Sequence, residues 1–241
     1  MDILILRPRS KTDGRKRGGR LPVHRVRSRK YGPILHDQTL KARQDIAVYG
    51  PHASGKSRWI AKLYAGAAEV WLSQPVALVR GLDPIGQWHE QPAVEVWHDT
   101  TRAGKTAADG TTAKPWAKLK AHERLDAFVS WAGDQKAVIL LDDAHKLAAR
   151  KADVAGRLVA VAAIVVHTAS EETRISLSLR MALARRQPQV IRLSSNAAYD
   201  YTGGLGWVMC LIAAAMGAWP IAAAIGGLKM ASRGSRAAKQ A

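Results

Sequence analysis

Eight consecutive residues, Gly50, Pro51, His52, Ala53, Ser54, Gly55, Lys56 and Ser57, match the spacing G-x-x-x-x-G-K-[ST]. The chemistry this suits is the cradling of a polyphosphate. Gly50 and Gly55 permit backbone turns that wrap closely around phosphate oxygens. Backbone N–H groups at the start of a helix then point at the anion, aided by the helix dipole. Lys56 has the reach for the β- and γ-phosphates, and the Ser57 hydroxyl suits a magnesium ion. The flanks agree: Asp45-Ile46-Ala47-Val48-Tyr49 reads as a strand leading in, and Ser57–Gly66 as a helix leading out. These eight residues are the expected nucleotide-binding set, for ATP with Mg2+. Gly104-Lys105-Thr106 repeats only the end of the motif. Asp99 stands where the first glycine is needed, so that stretch reads as a loop.

A second chemical signal lies further on. Val138-Ile139-Leu140-Leu141-Asp142-Asp143 is an apolar run closed by two carboxylates. The run suits a buried parallel strand, with Asp142 emerging at its carboxyl end beside the phosphates to hold Mg2+ with Ser57. Asp143 is the expected activator of the attacking water, although an Asp reaches less far than a Glu. Two carboxylates ahead of a helix also suit the helix dipole by themselves. Ala163–His167 is another apolar strand, and Thr168 follows it. Thr168, and after it His167, are the candidates to touch the γ-phosphate or the water; Thr168 or Ser170 could equally cap a helix. Arg174, Arg180, Arg185 and Arg186 follow. Arg180 is carried forward as a catalytic arginine supplied across a subunit interface, with a solvated basic helix face as the alternative.

The elements that must position these groups are short and alternate. Strands are expected at Ile46–Tyr49, Glu69–Leu72, Val76–Val79, Val94–Trp97, Val138–Leu141, Ala163–His167 and Val190–Leu193. Helices are expected at Lys56–Gly66, Ala117–Trp131, Ala144–Arg150 and Glu172–Arg186. Such alternation predicts an α/β domain over 45–193, with a mainly parallel sheet covered on both faces. Thr100–Pro115 has almost no large apolar residue and reads as a basic surface loop carrying Arg102, Lys105 and Lys114.

The 241 residues hold 37 Lys and Arg against 19 Asp and Glu, a formal net charge of +18. That surplus points to polyanionic partners, nucleic acid or anionic membrane. Residues 1–44 carry thirteen of the basic residues against Asp2, Asp13 and Asp37. With Gly18, Gly19, Pro22 and Pro33 interrupting it, this stretch reads as an unstructured basic arm suited to DNA phosphates or acidic lipid. Residues 194–204 read as a polar linker. Between Asp200 and Lys229 there is no charged residue. Trp207–Leu228 is long enough for one bilayer-spanning helix, which takes about 20 apolar residues. Trp207 lies where an interfacial anchor belongs. The expected span is 205–228, with a basic tail over 229–241. The lone Cys210 forms no intrachain disulfide, and Ile3–Leu6 is shorter than the roughly 7–15 apolar residues of a secretory segment.

With loop, acidic strand and polar-tipped strand in this order, residues 45–193 resemble the RecA-like additional-strand P-loop ATPases. Gly50–Ser57, Val138–Asp143, and Ala163–Thr168 followed by Arg180 carry the resemblance. Two branches are similar: the FtsK–HerA-type genome-packaging ATPases of tailless phages with an internal membrane, and the zonula-occludens-toxin-like assembly ATPases of filamentous phages. The 44-residue arm and 13-residue tail depart from the second pattern. Taken with the uncharged run, the resemblance implies a homo-oligomeric ATPase, anchored by a single span in a host inner membrane or a virion's internal membrane. Its catalytic domain faces the cytoplasm. It would drive DNA translocation in genome packaging alongside other phage assembly proteins. Filament assembly and export, or a nucleotide-dependent membrane scaffold with little turnover, are the alternatives.

Overall fold

Within the stretch expected to be an unstructured basic arm, residues 2–8, 20–27 and 34–39 form an antiparallel meander. The computed structural model describes residues 2–8, 19–28, 32–102, 104, 114–194 and 215–217. Met1–Ser195 form one compact unit and Asn196–Ala241 a second. In the first, β1 (Asp2–Pro8), β2 (Arg20–Arg27) and β3 (Ile34–Thr39) make a three-stranded sheet in that order. Leu4 is the reason the arm does not stay in solvent. It is buried with Leu40, Ala42, Trp59, Leu63 and Trp71, so the meander buries apolar surface that a free tail would expose. Its charge is also partly neutralised. Arg7 and Arg25 both bond Asp37, and Arg20 pairs with Glu69. The two arginines hold the Asp37 carboxyl down at about 2.

The main sheet consists of β4 (Ile46–Tyr49), β5 (Val76–Arg80), β6 (Val138–Asp142), β7 (Ile164–Ala169) and β8 (Gln189–Arg192). Every pairing in it is parallel, and the spatial order is β5-β6-β7-β4-β8. Alternation divides each strand between two cores. From β6, Val138 and Leu140 face the helices α1 (Lys56–Ala65) and α2 (Ala67–Val70), behind which Leu4 packs. Ile139 and Leu141 face the other way, onto α4 (Ala121–Asp134), α5 (Ala149–Val161) and α6 (Leu177–Arg185). With both faces covered, β6 is buried at all five residues, as its unbroken apolar run requires.

Two expected strands are helices. Glu69–Leu72 lies at α2 and the turn after it, where Ala67, Val70 and Trp71 are buried at i, i+3 and i+4. Val94–Trp97 lies inside α3 (Pro92–Thr101). Val94, Trp97 and His98 repeat the same helical spacing, Pro92 opens the helix, and Val96 is left exposed. The long helix α5 was not expected beyond Arg150, because alanines at 152 and 155 make its buried stripe inconspicuous. Among the described residues, no helix is long and apolar enough to cross a membrane. The expected span over 205–228 lies outside the described residues except for Ala215–Gly217. The linker beyond Ser194, the tail over 229–241 and most of the 100–115 loop also lie outside them.

The amino edge of the sheet is pinned by one ion pair. Asp45, just before β4, accepts the backbone N–H of Val165 at 2.7 Å, and the Arg186 guanidinium binds both of its oxygens. Arg186 also donates to the carbonyls of Val159 at 2.9 Å and Ala163 at 3.0 Å. It ties α5, α6, β4 and β7 together there and is not available as an arginine for another subunit. On the α5–α6 face, His167 is fully buried, and its Nε2 lies 3.3 Å from the Tyr49 hydroxyl. Burial pushes its pKa down to about 4, from an ordinary value of 6.5. In the unfolded chain the same ring takes a proton near 6.5. Between these values the unfolded state therefore binds more protons, and stability falls as the pH is lowered through that window. Urea unfolding between pH 7 and pH 4 should show this loss, and His167→Phe should flatten the dependence; an identical slope in the variant would exclude His167 as its source.

Candidate nucleotide site

The carboxyl edge of the parallel sheet gathers the chemistry. β4 delivers the loop at 50–57, β6 delivers Asp142 and Asp143, and β7 delivers Thr168 between them. Gly50 is required by its neighbours. A Cβ there would sit 2.6 Å from Ser54 Oγ and 2.9 Å from the Leu193 carbonyl. Ala53 and Gly55 both adopt left-handed backbone, at φ 61° and 88°, in the turn that leads into α1, and turns of this kind suit an anion. The loop is held down by Gly50 N–H donating to the Ala169 carbonyl at 3.2 Å.

Lys56 is 7% exposed and folds back over this loop. Its Nζ donates to the carbonyls of Gly50 at 2.6 Å and Pro51 at 2.7 Å. Burial lowers its pKa, opposed by the charges of Asp143 and Asp142. Ser57 is exposed on the first turn of α1. It lines a cavity of about 260 Å³ with Asp142, Asp143 and the β5 tip at Arg80–Asp83. It also lines a second cavity, of about 610 Å³, with Lys56 and Asp143.

The acidic pair is set by one hydroxyl. Thr168 is completely buried, and its Oγ1 donates to Asp142 Oδ1 while accepting the Asp143 N–H at 2.9 Å. That N–H also lies 3.1 Å from Asp142 Oδ1. Thr168 thus holds Asp142 and Asp143, and it is not among the residues lining either cavity. Asp143 sits at φ 56°, ψ 45°, a left-handed conformation that turns the chain out of β6. Across the edge, Gly81 N–H donates to the Asp142 carbonyl at 2.8 Å. A Cβ on Gly81 would meet the Asp143 carbonyl at 2.7 Å, so only glycine lets β5 approach this turn.

The larger cavity also contains Arg58, His145 and Lys146, which sequence reasoning did not select. They line it with the loop, Ser170 and Arg174. Among the described residues Asp143 is its single acid, beside Lys56, Arg58, Lys146 and Arg174. Such an imbalance suits a polyanion. His145 Nδ1 accepts the Ser170 N–H at 3.3 Å, so the neutral ring carries its proton on Nε2. Burial lowers the His145 pKa, which favours that neutral form. Arg174, one of the four arginines considered, is the one on the cavity wall. Arg180 is half-buried on α6 and is not among the lining residues. The signal for His145 and Lys146 lay in their immediate succession to Asp142-Asp143, since a turn after an edge carboxylate stays at the edge.

Ser57 and Asp142 offer a hydroxyl and a carboxylate on one cavity wall, the hard oxygen donors that magnesium takes. Among the described residues no group of three His, Cys, Asp or Glu side chains could hold a metal unaided. Magnesium bound with a nucleotide needs no such group, because water and phosphate oxygens complete its shell. β7 lies between the loop strand and the acidic strand, with Thr168 bonded to the pair. This arrangement resembles the core of a P-loop NTPase.

No family model matches the chain, and no curated protein matches it in sequence. Its structure is similar to several solved ATPase structures. Cdc6p from Pyrobaculum aerophilum is 15% identical, with a TM-score of 0.37 over 62% of this chain and 38% of that one. Domain III of the replication initiation protein DnaA from Thermotoga maritima is 12% identical, with a TM-score of 0.39 over 71% and 63%. ATPases 2 and 3 of Thermomonospora curvata EccC, solved with a signal sequence peptide, are 18% identical, with a TM-score of 0.40 over 78% and 39%. The chain thus spans less than two thirds of the length of each. The likeness is loose, neither phage branch gains support from it, and the nucleotide site stands on its own geometry.

Replacing Thr168 by Val removes the donor to Asp142 and an acceptor of the Asp143 N–H. The variant should lose about 1–3 kcal/mol in denaturant unfolding, and Thr168→Ser should recover most of it. Full stability in Thr168→Val would show that this hydroxyl does not hold the acidic turn.

Proposed function

We propose that the chain is a Mg2+-dependent ATPase whose oligomer couples hydrolysis to the movement of DNA. The observation that carries the first part is the shared cavity. Lys56 and Ser57, at the start of α1, open onto the same space as Asp143, and Ser57 onto the same space as Asp142. Backbone N–H groups of the loop and Lys56 bind the β- and γ-phosphates. Ser57 and Asp142 hold the metal, which when bound neutralises charge on the phosphate oxygens. Asp143 accepts a proton from the attacking water. The water oxygen bonds to the γ-phosphorus, the bond to the bridging oxygen breaks, and ADP leaves with that oxygen. Arg174, on the same wall, is the nearer cation for the developing charge than Arg180.

The DNA part is supported by charge. The net +18 includes Arg9, Lys11, Arg15, Lys16 and Arg17 between β1 and β2, and Arg29 and Lys30 between β2 and β3. Arg7, Arg20 and Arg25 of the meander are ion-paired, and these loop cations are the ones proposed to meet phosphates. The uncharged run up to Leu228 supports a single membrane span, with the ATPase domain in the cytoplasm. In this reading the motor packages a viral genome at a host or virion membrane with other assembly proteins. The same uncharged run also favours a second reading, in which hydrolysis drives protein export or filament extrusion. DNA-stimulated turnover separates the two.

Two measurements follow. Lys56→Ala should abolish tight binding of ATP with Mg2+, whereas Asp143→Ala should bind it but turn over at least about 100-fold more slowly. Wild-type turnover in Asp143→Ala would exclude it as the proton acceptor. For DNA, the combined substitutions Arg15→Gln, Lys16→Gln and Arg17→Gln should flatten the dependence of log affinity on log salt by up to about 3 × 0.9. An unchanged slope would mean that these cations do not contact DNA.

A further inference from the structure

Both groups central to hydrolysis have partners within the chain. The Lys56 ammonium bridges the carbonyls of Gly50 and Pro51. The Asp143 carboxylate is paired with Lys146, Nζ to Oδ2, at 3.2 Å. We propose that Lys146 is a further γ-phosphate ligand, and that its ion pair with Asp143 is a resting lock which the triphosphate opens. This rests on the ATPase reading and adds a residue to the same site.

Placement supports it first. Lys146 closes the 3-10 turn Ala144–Lys146, and its backbone N–H donates to the Asp143 carbonyl at 2.8 Å. The two side chains are thereby kept within reach of each other. The backbone of Asp143 is fixed by Thr168, so only its side chain can move. Lys146 lines the 610 Å³ cavity with Lys56, Ser57 and Arg174. Its side chain is 39% exposed and free to swing, whereas that of Asp143 is 15% exposed.

Competition supports it second. Among the described residues Asp143 is the one acid on the wall of that cavity, and so the lining anion there with which Lys146 pairs. A γ-phosphate brings more negative charge and three oxygens, and lysine ammonium groups form strong charge-assisted hydrogen bonds with phosphate. Drawn to the phosphate, Lys146 releases Asp143 to accept a hydrogen bond from water. ADP lacks the γ-phosphate and leaves the pair closed. The lock thus keeps the carboxylate idle until a triphosphate is present. Lys146 is a binding residue by its contact with phosphate, and a positioning residue by its effect on Asp143.

The test measures equilibrium binding of adenylyl imidodiphosphate and of ADP, both with Mg2+, to the full chain. Lys146→Met should weaken the triphosphate analogue about tenfold or more while ADP changes less than about twofold, and Lys146→Arg should restore the preference. Asp143→Asn removes the competing anion. It should tighten the analogue when Lys146 is present and much less in the Lys146→Met background. Equal weakening of both nucleotides in Lys146→Met, or no weakening, overturns the γ-phosphate assignment. Equal tightening by Asp143→Asn in both backgrounds overturns the lock, since simple charge repulsion would act regardless of Lys146. If the wild type binds no nucleotide, or Lys56→Ala binds like the wild type, the ATPase reading itself falls. If Lys56→Ala fails to bind while Lys146→Met keeps the wild-type preference, only the role of Lys146 falls.

Discussion

The buried hydroxyl of Thr168 joins the two halves of the site. One half is a loop that must stay open for an anion; the other is a pair of carboxylates that must not collapse onto it. β7 separates them by one strand, and its tip fixes both sides. Ala169 accepts the loop's Gly50 N–H, and Thr168 holds Asp142 and Asp143. A hydroxyl suits this position because it donates to a carboxylate and accepts from an amide at once. The left-handed turn at Asp143 is thereby anchored at its N–H, and the turn carries His145 and Lys146 to the cavity wall.

The opposite edge of the sheet is built for rigidity. Asp45 and Arg186 sit at the amino ends of the strands, far from any role in binding, and bond two helices and two strands through one ion pair. Partly buried, the pair is satisfied by backbone groups on both sides, which is the condition for such a pair to be tolerated. The N-terminal meander braces the α1–α2 face in a related way. Asp2 accepts the N–H and the hydroxyl of Ser194 at 2.8 Å each, and Leu6 packs against Gly66. The start of the chain is thus bonded to the end of the main sheet.

Electrostatics at the carboxyl edge are arranged by scarcity. Among the described residues one carboxylate and four cations line the larger cavity. Clustered cations repel one another, and a multiply charged anion relieves that repulsion. Lys56 bonds its own loop and Lys146 pairs with Asp143, which satisfies part of this charge within the chain.

The sequence by itself determined the loop, the acidic strand and the parallel α/β class, because each is a local pattern. Glycine spacing, a run of apolar residues and a terminal carboxylate depend little on distant contacts. It also placed α1 and the five core strands. It could not separate Val94–Trp97 from a strand, since a short apolar run serves either element and only the buried i, i+3, i+4 set within α3 decides. Nor could it foresee the strands β1, β2 and β3, because charge suggested a free arm while the burial of Leu4 depends on a pocket made by α1 and α2. The choice among the arginines was likewise tertiary. Arg186 goes to Asp45 and Arg174 to the cavity, because strand order, which no local pattern encodes, sets which side chains meet.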